Sequence, residues 1–146
     1  MSKVSRITNP ILTKGKQISL PPEVDVLSLV KYDELTPAFS FEYVQGDYCL
    51  SKWDAPHIKR LIEELGKLEK HKWKDIWAQH LFQINKVDPK GLRKVSIPTF
   101  ITPDVTIFYF KPFGSGNKYR VFGVRTGHNF KFLWFDNRHE IYPGSY

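Results

Sequence analysis

The chain has 146 residues, a length typical of one domain, and 41% of them are hydrophobic and 15% aromatic. The 22 lysine and arginine residues against 15 acidic ones give a net charge of +7. This charge favours an acidic or polyanionic partner (RNA, DNA, a ribosome surface or an acidic protein) over a basic surface that binds no such partner. The single cysteine excludes an internal disulfide, and no apolar run fits a signal peptide or the roughly 20 residues of a membrane helix, so we expect a cytoplasmic protein.

The first 37 residues differ in character from the rest of the chain. They begin with a basic stretch, continue through Pro21-Pro22 and reach an apolar patch at residues 24–30. We expect an N-terminal arm with short strands in residues 18–29, which packs on a sheet edge or reaches a partner. The domain proper then spans residues 38–146, and the alternation in residues 39–44 predicts its first strand.

Two helices are predicted next. Asp54 is a natural N-cap, because its carboxylate can accept from the open amides of the first turn, and Pro56 suits that turn. One apolar stripe follows at helical spacing: Ile58, Leu61, Ile62, Leu65 and Leu68. Gly66 costs about 1 kcal/mol against alanine inside a helix, which indicates close packing. A second helix is predicted over residues 73–82, with its apolar side formed by Trp73, Ile76, Trp77 and His80.

Residues 85–104 are predicted to form a loop with a short strand at residues 94–97. Prolines and a glycine interrupt this stretch, and it carries four basic residues: Lys86, Lys90, Arg93 and Lys94. Such a basic loop beside a sheet is either a phosphate-contacting lip or a solvated surface. Residues 105–110 predict a strand, and residues 111–118 predict a link to the last two strands.

The closing stretch predicts a β-hairpin with strands at residues 119–125 and 130–135. Gly127 and Asn129 lie in the turn between them and can adopt positive φ. Alternation places Arg120, Phe122 and Val124 on one face of the first strand. The hairpin is too apolar to stand exposed, so we expect it in a sheet that is covered on one side. The whole pattern predicts an α+β fold with two helices packed on a twisted, mainly antiparallel sheet.

The hairpin and its flanks carry the residues needed to cleave RNA without a metal. That reaction needs a base for the 2′-hydroxyl proton, cations for the charged phosphorane and an acid for the 5′-oxygen. Arginine, histidine and phenol groups can supply these functions near one sheet surface: Arg120, Arg125, Arg138, His139 and Tyr142. We expect Arg125 and His128, like Tyr119, to bind RNA. Tyr119, Phe113 or Tyr146 can stack on an unpaired base. Structural roles for Arg120, His139 and Tyr142 remain the alternative, and a metal site at His128, Asp136 and His139 lacks the usual ligand spacing.

The order of a strand, two helices, a basic loop, a strand and a hairpin resembles the RelE/ParE superfamily of toxins. The resemblance covers residues 39–142 and is most specific in YRVFGV and FKFLWFDNRHEIY. It implies a RelE-like domain in which Arg120 contacts phosphate and Arg138 stabilises charge or protonates the leaving oxygen. It also implies that Tyr142 stacks on or orients the nucleotide and that His139 matches a histidine of some members.

The resemblance further implies a function. Lys111 and Lys118 resemble the lysines that precede the arginine strand, and we expect them to bind RNA. RelE-type members cleave mRNA in the ribosomal A site and are neutralised by an antitoxin, whereas ParE-type members bind DNA gyrase. We therefore expect a toxin-type endoribonuclease without a cofactor, with RNA and an acidic antitoxin as partners. The alternatives are a non-enzymatic module that binds RNA, ribosome or protein, and a ParE-type gyrase inhibitor.

Overall fold

A computed structural model of the protein describes residues 31–44 and 46–143. Its elements are β1 (Ala38–Ser40), α1 (Ala55–Leu68), α2 (Trp73–Ala78), β2 (Asn85–Lys86), β3 (Ile107–Phe110), β4 (Arg120–Thr126) and β5 (Asn129–Asp136). The strands predicted in residues 18–29 and the predicted stacking residue Tyr146 lie outside the described residues. Residues 31–37 of the predicted arm are described, and there the Leu35 carbonyl accepts a hydrogen bond from the Trp73 amide at 3.0 Å.

The five strands form one mixed sheet in the order β1-β5-β4-β3-β2. β1 runs parallel to β5, and the other pairings are antiparallel. The predicted α+β class is therefore confirmed. Gly127 and His128 form the turn of the β4–β5 hairpin, where Gly127 has a φ of +63°, a conformation that favours glycine.

α1 and α2 cover one face of the sheet. The predicted N-cap is confirmed, because the Asp54 carboxylate accepts a hydrogen bond from the His57 amide at 3.0 Å. Leu61, Leu65 and Leu68 are buried in a core that also contains rings from β5. Ile62 was predicted on the same stripe but is 61% exposed. Ile62 points away because each helical residue is turned by about 100° from the one before it.

β1 and α2 are shorter than predicted. β1 ends at Ser40 because the chain turns directly afterwards, where the Val44 amide donates to the Phe41 carbonyl at 3.1 Å. α2 ends at Ala78 because His80 and Phe82 take positive φ values of 52° and 60°, which a right-handed helix does not allow. The side chain of His80 is consequently exposed and leaves the apolar side of the helix.

The other face of the sheet is covered as well. Parts of the loop between β2 and β3, together with the segment after β5, pack against it and form a second core cluster. Within that core the rings of Tyr109, Phe122 and Trp134 follow one another across the sheet at 5.8 Å between centroids. The expected sheet with one open face is therefore wrong, as is the strand expected at residues 94–97. The loop buries its own apolar side chains there, among them Val87 and Ile101.

Gly123 lies where β4 and β5 change register. Phe122 pairs with Trp134, whereas Gly123 pairs with Phe132, so β5 has one extra residue at this point. A Cβ atom on Gly123 would lie 2.5 Å from the Lys131 carbonyl oxygen and 2.5 Å from the Phe130 ring. These distances are too short for a side chain, so the two strands require glycine here.

We expect Gly123→Ala to destabilise the protein by about 1–3 kcal/mol, because an added methyl group must displace backbone and a buried ring. Gly66→Ala is the matched control and should stabilise it by up to about 1 kcal/mol. A Cβ on Gly66 would meet no atom within 4 Å, which also shows that the close packing expected there is wrong. Urea denaturation measures both changes, and a Gly123→Ala variant as stable as the wild type would contradict this packing.

Candidate active site at one end of the sheet

Three charged side chains from neighbouring strands lie at one end of the sheet. Arg120 begins β4 opposite Asp136, the last residue of β5, and Lys111 directly follows β3 on the other side of β4. Strands lie about 4.8 Å apart, so the row spans about 10 Å. Lys111 is 8% exposed, Arg120 1% and Asp136 0%. In the described part of the chain, this buried row thus holds two cations and one carboxylate.

Asp136 shapes the segment that follows β5. One carboxylate oxygen accepts from the Arg138 amide at 2.9 Å, and the other accepts from the amides of Glu140 and Ile141 at 2.8 and 2.9 Å. A carboxylate near a phosphate site opposes anion binding, but this one is occupied by backbone donors. Asp136 therefore has a structural role, and it folds the segment that contains His139 back towards Arg120.

His139 and Arg120 belong to the same buried end of the sheet. Burial lowers the pKa of His139, and the charges of Arg120 and Lys111 lower it further against the opposing effect of Asp136. Neutral pH therefore favours the uncharged imidazole. The Arg120 Nη1 atom donates to the Asn117 carbonyl and, at 2.8 Å, to the Tyr119 carbonyl. The expectation that Arg120 lies on an open surface is wrong, because the second core covers its end of the strand.

Tyr142 connects the loop after β2 to the segment that follows β5. Its hydroxyl accepts a hydrogen bond from the Asp88 amide at 3.1 Å, and its ring lies 5.3 Å from the ring of Tyr109. A Cβ atom on Gly91 would lie only 2.8 Å from the Tyr142 ring. The Tyr142 phenol is thus half-buried and engaged in packing, rather than open for a nucleotide to stack on it.

Lys111 also lines an open cavity of about 400 Å³ beside the row. α1, the segment after α2 and the link before β4 contribute its walls, which include Arg60, Glu64, His80, Phe82, Gln83 and Phe113. The Arg60 guanidinium lies 4.3 Å from the centre of the Phe113 ring. The sequence alone did not connect Arg60 or His80 with this site. Arg60 has the pattern of a solvated helix position, and the positive φ that releases His80 leaves no clear sequence signal.

The chemistry of Lys111 distinguishes this cavity from other surface depressions. Burial lowers the pKa of Lys111 below its ordinary value of 10.5, and the charge of Arg120 lowers it further. Among the described residues, no hydrogen bond or ion pair to the Lys111 ammonium is found. A lysine with a lowered pKa carries more neutral amine at physiological pH and can accept a proton. The cavity therefore combines a potential base, the cation Arg60, the imidazole of His80 and two aromatic rings.

Arg125 and His128 lie far from this cavity. They are at the opposite end of the β4–β5 hairpin, about 20 Å along the strand from Arg120. Arg125 is engaged there by Asp33, with 2.5 Å between the charged groups, and lies over the Trp73 ring. The expectation that Arg125 lies near one surface with Arg120 is wrong, because Arg125 lies five positions further along β4, towards its other end. His128, Asp136 and His139 do not converge, and the described residues contain no group suited to hold a metal ion.

Tyr119, Lys118 and Arg138 occupy three other positions. Tyr119 is buried on the face that α1 covers, and its ring stacks 4.3 Å from that of His57, so the placement expected for base stacking is wrong. Lys118 is exposed in the link before β4, and its charge acts on Asp54. Arg138 is exposed on the far side of Asp136, where it lines a different cavity. Of the predicted residues, Lys111, Arg120 and His139 therefore lie at the same end of the sheet, whereas the Tyr142 hydroxyl contacts Asp88 near the other end of β3.

No helix in the described part of the chain is long and apolar enough to cross a membrane. Comparisons of the chain with protein-family models, with curated proteins and with solved structures gave no match.

Proposed function

We propose that the protein is a metal-independent endoribonuclease of the RelE toxin type, with the Lys111 cavity as its active site. The observation that carries the proposal is a buried lysine of lowered pKa that lines an open cavity and adjoins a buried arginine. The order of a strand, two helices and an antiparallel hairpin supports a RelE-like domain. The net charge of +7 supports RNA as the substrate and an acidic antitoxin as the protein partner.

In the proposed reaction, the neutral amine of Lys111 takes the proton from a 2′-hydroxyl group of RNA. The 2′-oxygen attacks the adjacent phosphorus, the bond to the 5′-oxygen breaks, and His80 returns a proton to that leaving oxygen. The products are a 2′,3′-cyclic phosphate and a 5′-hydroxyl. Arg60 and the buried charge of Arg120 stabilise the negative charge that builds on the phosphate. Phe82 and Phe113 offer apolar rings to an unpaired base.

Incubation of the purified protein with single-stranded RNA in EDTA, with and without translating ribosomes, tests the proposal. We expect cleavage in at least one of the two conditions, with 5′-hydroxyl and 2′,3′-cyclic phosphate ends, because no metal takes part. Mapping of the 5′ ends and chemical identification of the termini provide the measurement. Intact RNA in both conditions, or ends with a 5′-phosphate, would contradict the proposed reaction.

A second candidate is a basic module that binds RNA without cleaving it. It is favoured by the burial of Arg120 and by the packing role of Tyr142, two residues expected to be catalytic. This alternative predicts salt-sensitive RNA binding, because phosphate contacts release counterions, without new RNA ends. A gyrase inhibitor of the ParE type would instead cause DNA damage in cells and leave RNA intact.

A further inference from the structure

Two neighbouring cavities lie at Tyr48, beyond the Asp136 end of the buried row. The Tyr48 carbonyl accepts a hydrogen bond from the Phe135 amide at 2.8 Å, so this residue runs beside β5 on the side away from β4. The larger cavity measures about 410 Å³ and includes Lys52 and Arg138 in its lining. The smaller one measures about 270 Å³ and includes Lys94 and Trp134. Asp47 and Tyr48 line both cavities.

Tyr48 forms a fixed wall between the two cavities. Its hydroxyl donates to one carboxylate oxygen of Glu140 at 2.7 Å, and the Lys94 ammonium lies 3.5 Å from the other oxygen. Burial and the neighbouring Glu140 raise the pKa of Tyr48, so the phenol keeps its proton. The half-buried ring of Tyr48 packs against the second core cluster. Glu140 therefore holds Tyr48 in place, and the exposed part of the Tyr48 ring lines both cavities.

Three charged side chains that line these cavities are not held by an ion pair. Within the described part of the chain, Lys52, Arg138 and Asp47 make no ion pair closer than 4.0 Å. Lys52 and Arg138 can hold a phosphate, whereas the exposed carboxylate of Asp47 repels one. Asp47 is instead suited to accept hydrogen bonds from an amino group. Cations, a carboxylate and an aromatic ring together match a whole nucleotide better than an isolated phosphate.

We propose that the Tyr48 cavities bind an unpaired nucleotide of the RNA whose base is guanine. The two oxygens of the Asp47 carboxylate accept hydrogen bonds from the ring N1–H and the amino group of guanine, a donor pair that adenine, cytosine and uracil lack. The exposed part of the Tyr48 ring stacks on the base, and Lys52 and Arg138 hold the phosphate. Three strand spacings separate this subsite from Lys111, or roughly 14 Å, so it binds a nucleotide away from the bond that is cut. This inference rests on the proposed RNA substrate and assigns the base preference of the same protein.

The test uses fluorescence anisotropy with labelled 2′-O-methyl hexanucleotides, which cannot be cleaved. We expect oligouridine with one central guanine to bind the full-length protein about tenfold more tightly than oligouridine with a central adenine, oligouridine with a central cytosine or plain oligouridine. Asp47→Ala should abolish that preference, and Arg138→Met should weaken all four oligonucleotides alike. Glu63→Ala removes an exposed carboxylate of α1 and serves as the control that keeps the preference.

Equal affinity for all four oligonucleotides, or a preference that survives in Asp47→Ala, would overturn the inference. So would polyglutamate that displaces the guanine oligonucleotide from the wild type but not from Arg138→Met, since this result would assign the surface to an acidic protein. Asp47 is exposed, and unchanged thermal unfolding of its variant would show that folding is intact. Cleavage without the base preference refutes the subsite alone, whereas the preference without cleavage refutes the proposed reaction alone.

Discussion

Replacement of Lys111 by methionine is expected to slow RNA cleavage by about 10²–10⁴-fold, the usual contribution of a general base. Methionine retains an unbranched apolar stem but cannot accept a proton. Lys111→Arg should be similarly slow, because the guanidinium group stays protonated at every accessible pH. Single-turnover rates at saturating protein concentration measure this effect on the chemical step rather than on binding.

The matched control is Lys70→Met, which removes an exposed lysine just after α1 and should leave the cleavage rate unchanged. The stability of Lys111→Met distinguishes the loss of a catalytic base from damage to the fold as the cause of a slow cleavage rate. The folded state lowers the pKa of Lys111, so the charged amine costs stability below its ordinary pKa, and Lys111→Met should unfold at a higher temperature than the wild type. Cleavage by Lys111→Met at the wild-type rate would show that the Lys111 amine takes no part in the reaction.

Asp136→Ala is expected to destabilise the protein by at least about 3 kcal/mol, because three backbone amides lose their acceptor at a buried position. The substitution also removes the one carboxylate in the buried row with Lys111 and Arg120. Asp136→Asn should lie between the wild type and Asp136→Ala, since its amide oxygen can still accept while its amino group faces backbone donors. Urea denaturation curves give the three free energies of unfolding.

Asp104→Ala is the control for Asp136. The Asp104 carboxylate is exposed and accepts from the hydroxyl of Thr102, so its removal should leave the stability nearly unchanged. Equal stabilities of the Asp104→Ala and Asp136→Ala variants would show that the Asp136 contacts do not hold the end of the sheet together.

Local signals explain the parts of the fold that the sequence predicted. Asp54 and the leucine spacing after it mark α1, and Gly127 between two apolar runs marks the β4–β5 hairpin. Alternation also placed Phe122 and Val124 on one face of β4, which the second core cluster confirms. These features depend on residues close together in the chain, so a sequence pattern contains them.

The covering of the second face could not be predicted in the same way. The loop between β2 and β3 has no regular alternation, and its burial depends on distant partners such as Tyr142 and Ile141. For this reason the sequence indicated an open surface for Arg120, whereas the structure buries it. By contrast, the separation of Arg125 from Arg120 follows from the strand length alone, at about 3.4 Å per residue.

The candidate site was predicted in part. The resemblance to RelE-type toxins drew attention to Lys111, Arg120 and His139, which the sheet brings together at one end. Arg60 and His80 were missed, because they reach the cavity from a helix and from a turn of positive φ. The structural role of Asp136 follows only from its three backbone hydrogen bonds, which no sequence pattern predicts.

The pH dependence of single-turnover RNA cleavage is the most direct test of Lys111 as the catalytic base. Because the reaction needs the neutral amine of Lys111 together with a protonated His80, the wild-type rate should rise with pH, pass through a maximum and fall again. Burial and Arg120 lower the Lys111 pKa, so the fall should begin below pH 10.5, and Lys111→Met should lack the rise altogether. Parallel profiles for the wild type and Lys111→Met would contradict the proposed site.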